Sequence, residues 1–65
     1  MTEQEVSELA AFLVDEHGNA ALEIAQGRRD QYARERQSDA YRLWARITAA
    51  TARLLRARRP EEVSC

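Results

Sequence analysis

The sequence predicts an all-α protein of three helices: a long antiparallel hairpin, about residues 20–36 and 39–58, with a shorter N-terminal helix, about residues 3–16, packed on it. Three observations carry this expectation. Apolar residues recur at helical spacing through most of the chain, no stretch alternates in the manner of a strand, and polar punctuation at residues 17–19 and 37–39 cuts the pattern into three.

The first element opens on Thr2-Glu3-Gln4-Glu5, which fits a capping box in which the Thr2 hydroxyl accepts from the Glu5 amide and the Glu5 carboxylate reaches back. Early acids also suit the positive end of a helix dipole. Val6, Leu9, Ala10 and Leu13 then follow the i, i+3, i+4, i+7 spacing of one helical face. Gly18 sits just past the periodic run, the position where a left-handed residue ends a helix. A kink at His17-Gly18 joining the first two helices is the alternative, and the glycine argues against it.

Asn19 is placed to cap the second helix, whose apolar side reads Ala21, Ile24, Ala25 and Tyr32. At about 100° per residue Arg28 falls within the same stripe. Gly27 costs about 1 kcal/mol relative to Ala inside a helix, which makes close approach of a neighbour the favoured reason for it. Asp30 and Arg34 stand at a favourable i, i+4 spacing.

Ser38 is the expected cap of the third helix. Ala40, Trp44, Ile47, Thr51 and Leu54 share one side of it, Leu43, Ala50 and Leu55 lie at the margins, and Arg42, Arg46 and Arg53 fall opposite Trp44. Pro60 should end the helix and leave residues 60–65 as a flexible tail.

A chain of 65 residues has room for a single small domain. About fifteen side chains can fill its core, and they must offset an ordering cost of about 1.5 kcal/mol per residue, a balance that comes out near zero. One Cys and one His allow neither a disulfide nor a metal cage, so association between chains is the remaining source of stability. Residues 9–14 point the same way. Phe12 lies off the stripe of Val6, Ala10 and Leu13, so this stretch is apolar almost all round, as in a helix shared with a partner. Leu9, Phe12, Leu13 and Trp44 are therefore the expected interface of a homodimer, Trp44 serving first as the anchor where helices meet. Tyr32 and Tyr41 are expected to flank Trp44 with their hydroxyls toward water.

Charge divides the chain. All ten basic residues are arginines between Arg28 and Arg59, whereas the first 26 residues hold six acids and no formal positive charge. Either the halves neutralise one another or the arginine ridge of Arg42, Arg46 and Arg53 meets an anion such as nucleic acid, for which no recognition-helix signature or interleaved aromatic is apparent. Arg28 differs from the ridge because burial of an unpaired guanidinium is prohibitive. Its stem covers the core while its head reaches water, or it forms a buried ion pair, or it holds a ligand.

His17, beside Leu13 at a helix end, reads as a capping or packing residue, since no nucleophile or paired acid accompanies it. Cys65 reads as a free thiol in a reducing compartment, and no apolar run nears the roughly 18 residues of a membrane span. With no secretory signal pattern either, the expected location is the cytoplasm. No glycine-rich phosphate loop, paired-cysteine metal motif or nucleophile elbow is present, so no catalytic residue, cofactor or metal is expected.

His17-Gly18 followed by Ala21 and Ala25, then Trp44 and Ile47 with Leu54 one turn beyond Ala50, resembles a recurring group of short, uncharacterised alphaproteobacterial proteins over roughly residues 6–55. Members of that group often carry a Gly-Asp pair before the last helix, where this chain has Ser38-Asp39. The resemblance implies a compact helical unit and transfers no functional residue. The function expected is a non-enzymatic, self-associating interaction module. The alternatives are a nucleic-acid-binding or regulatory module using the arginine ridge and an accessory subunit or inhibitor of a larger bacterial complex.

Overall fold

The structure, a computed structural model, describes residues 2–57. It consists of three helices, α1 (Glu3–His17), α2 (Ala20–Arg34) and α3 (Ser38–Ala57), with α3 packed on both of the others. Pro60, Cys65 and the expected tail lie outside the described residues.

The capping box forms as its residue types require. The Glu5 amide donates to Thr2 Oγ1 at 3.2 Å, and the Thr2 amide donates to Glu5 Oε1 at 2.9 Å. At the other end Gly18 adopts φ 58° and ψ −132° and donates its N–H to the Val14 carbonyl at 2.8 Å. That backbone disfavours any residue with a Cβ, so the chain breaks here rather than kinking through. Asn19 occupies the capping position of α2 in a helical conformation without a side-chain cap, contrary to expectation.

α2 ends two residues earlier than its pattern predicts. Arg36 takes φ 60°, its amide donates to the Ala33 carbonyl at 3.2 Å, and the Gln37 amide donates to the Tyr32 carbonyl at 3.0 Å. This pair of bonds is a Schellman closure, in which the left-handed position is ordinarily a glycine. Ser38 is correspondingly the first residue of α3 rather than its cap.

The core is built on small residues. Ala10, Ala21 and Ala25 are wholly buried, and Val6, Leu13, Val14, Ile47 and Ala50 complete it. Leu9, Ile24, Leu43, Trp44, Leu54 and Leu55 are partly buried around it. Two threonines of α3 lie inside, and each disposes of its hydroxyl locally. Thr48 donates to the Trp44 carbonyl at 2.6 Å and Thr51 to the Ile47 carbonyl at 2.7 Å. These back-bonds remove the penalty of an unpaired buried hydroxyl.

Two expectations for α2 are corrected. A Cβ added at Gly27 meets nothing within 4 Å, so no neighbour approaches closely and the glycine is a local weakness only. Arg28 is exposed, and no ion pair among the described residues involves it. The half-buried positions of α2 include Leu22, which the sequence stripe left out, and at about 100° per residue its inclusion turns the centre of the packing side from Arg28 toward Arg29. Arg29 is therefore the arginine on the packing side. Its side chain is 31% exposed, and Nε bonds Asp30 Oδ1 at 3.1 Å, which pairs Asp30 with its neighbour instead of Arg34.

Candidate interaction surfaces

Leu9, Phe12, Leu13 and Trp44, expected to share an interface, are divided by the fold. Leu13 belongs to the core of its own chain, and Leu9 and Trp44 are half-buried against that core. Their apolar area is largely consumed within the monomer. Phe12 alone stands out, 58% exposed and on the side of α1 away from Val6, Ala10 and Leu13. Its neighbours at i±4 and i+3 are Glu8, Glu16 and Asp15, all exposed.

Two adjoining grooves follow the seam of α1 with α3. One of about 300 Å³ is lined by Ser7, Ala50, Arg53, Leu54 and Ala57, and another of about 170 Å³ by Ala11, Val14, Asp15 and Leu54. They exist because Ser7 and Ala11 are too small to fill the space between the helices. The grooves thus have an acidic lip from α1 and an arginine lip from α3.

The arginine ridge is exposed at all three expected positions, but its members are not equivalent. Arg46 Nη2 bonds Glu3 Oε2 at 2.5 Å, tying α3 to the first turn of α1. With both side chains largely in water the pair contributes at most about 1 kcal/mol. It nevertheless occupies the middle of the ridge, which leaves Arg42 at one end and Arg53 at the other.

Arg42 instead faces a second environment. At the turn end of the hairpin a cleft of about 360 Å³ is lined by residues of the α2 end and the α3 start, among them Tyr32, Arg36, Gln37, Ser38, Tyr41 and Arg42. Tyr32 is half-buried and Tyr41 is 41% exposed. The tyrosines line this cleft, and they supply the aromatic partners that no linear pattern interleaved with the arginines. Arg36 was missed by sequence reasoning, because nothing but a glycine or asparagine would have marked a left-handed position. The one signal available was the placement of Tyr32 and Tyr41 on either side of the punctuation at 37–39, which puts both at one end of the hairpin.

His17 is exposed as the last residue of α1, not packed along the stripe. Among the described residues no group of three or more His, Cys, Asp or Glu side chains could hold a metal ion, and no helix is long and apolar enough to cross a membrane. No family model, curated protein or solved structure matches the chain.

Proposed function

We propose that this chain is a small, non-enzymatic interaction module that associates with a second copy of itself through the outer side of α1 and the α1–α3 grooves. The observation that carries the reading is Phe12, 58% exposed at the centre of a helix whose opposite side is buried. An isolated exposed aromatic is unremarkable on a large protein. On this one, whose core is mostly alanine and valine, it is apolar area that folding leaves unused.

The charge layout favours one arrangement. α1 and α3 run in the same direction, Glu3 level with Arg46 and Ser7 beside Ala50 and Leu54. A two-fold axis parallel to them sets the α1 of each copy over the α3 of the other, bringing Glu8 and Asp15 toward Arg53 and Arg56. The perpendicular axis stacks acidic α1 on acidic α1 and is disfavoured by repulsion. One cysteine in the whole sequence excludes an internal disulfide, which accords with a reducing, cytoplasmic setting in a bacterium.

Sedimentation equilibrium at micromolar concentration tests the proposal. A dimer that Phe12→Glu converts to a folded monomer is the expected result. A wild-type chain that remains monomeric throughout defeats self-association, and co-purification with a larger protein would then assign the same face to a heterologous partner.

A further inference from the structure

A separate surface, at the turn between α2 and α3, has a composition that the fold does not require. Arg36 sits at φ 60°, a backbone region that L-residues other than Asn and Gly seldom occupy. Glycine would close the same Schellman turn without strain. The strained position instead carries a guanidinium that lines the 360 Å³ cleft together with Arg42 and two tyrosines. Strain retained at a cleft calls for a functional reason.

The surrounding acids leave these cations available. Glu35 is the carboxylate closest in sequence, and its oxygens accept from the amides of Gln31 at 3.1 Å and Gln37 at 3.0 Å. Asp39 lies outside the cleft lining. Among the described residues neither Arg36 nor Arg42 forms an ion pair. The cleft therefore combines two guanidiniums outside any ion pair with two aromatic rings, and Ser38 in its lining adds a hydroxyl.

We infer that this cleft binds the phosphate-and-base unit of a nucleotide, the base stacking on Tyr32 or Tyr41 and the phosphate held by Arg36 and Arg42. Aromatic rings accept any base by its π-face, and arginine matches phosphate bidentately. The source of the unit is a free mononucleotide or a single strand of RNA. This inference is independent of self-association, since it uses none of the residues of the α1 grooves.

The test is a titration of the isotope-labelled full chain, followed through its backbone amide resonances, with adenosine monophosphate, a short oligouridylate and inorganic phosphate in separate arms. Amide shifts concentrated at residues 32–42 for either nucleotide arm, and much weaker with phosphate alone, are expected. The tighter of the two nucleotide arms names the source. For the oligonucleotide, two phosphate contacts predict affinity roughly sevenfold weaker when salt rises from about 50 to about 200 mM. Arg36→Gly should melt no lower than the wild type, because glycine relieves the backbone, yet bind at least about tenfold more weakly. The inference is overturned by no response to either nucleotide at millimolar concentration, by equal response to phosphate, by shifts centred on Arg46 and Arg53, or by unchanged binding in Arg36→Gly.

Discussion

The inside and the outside of α1 use their residues in opposite senses. Facing the other helices are Val6, Ala10, Leu13 and Val14, small to medium side chains that let the backbones come close. Facing solvent, among glutamates, is Phe12, the largest apolar side chain of the helix. A chain short of core would gain most by burying its phenylalanine, so its position outside teaches that the close seam between helices is set by alanine at Ala10, Ala21, Ala25 and Ala50. A larger residue finds no room there, and the aromatic is left exposed.

The contrast can be broken from the inside first. Ile47 is the largest wholly buried side chain, and Ile47→Ala should destabilise the chain by about 2–5 kcal/mol in urea unfolding, enough to unfold much of it. Ala25→Leu approaches the same seam from the opposite direction. Overpacking of a fully buried alanine should cost about 1–3 kcal/mol, and a stabilised variant would show that the alanine seam is not closely packed. Away from the seam the sign reverses. Gly27→Ala should raise stability by about 1 kcal/mol, because the added methyl enters open space in a helix interior, and a loss would restore the idea of close approach there. The smallest change in monomer stability, within about 0.5 kcal/mol, is expected for Phe12→Ser measured under dissociating conditions.

Much of this architecture was legible in the sequence where the signal was local. The Thr2–Glu5 box, the break at Gly18 and the stripes of α1 and α3 each depend on residues within a few positions of one another. What escaped depends on long-range geometry or on a residue acting against its preference. Arg36 in a glycine's conformation shifted the end of α2, and the half-buried Leu22, absent from the stripe read for that helix, moved the packed arginine from Arg28 to Arg29. The Glu3–Arg46 pair joins positions 43 apart. Attraction between the acidic first helix and the basic hairpin was expected in outline, yet no periodicity could name that pair. The exposure of Phe12 was legible because it fell off its helix's own stripe, and the burial of Leu13 follows from the stripe it shares with Val6 and Ala10, although residues 9–14 are apolar on nearly every side.

The central claim is that Phe12 is exposed in order to be covered by a second copy. Sedimentation velocity of the wild type and Phe12→Glu, from about 1 to about 100 µM, with helicity recorded on the same samples, tests it most directly. The account predicts a concentration-dependent dimer for the wild type and an equally helical monomer for Phe12→Glu. A wild type and a variant that sediment alike, both as helical monomers or both as dimers, would contradict it.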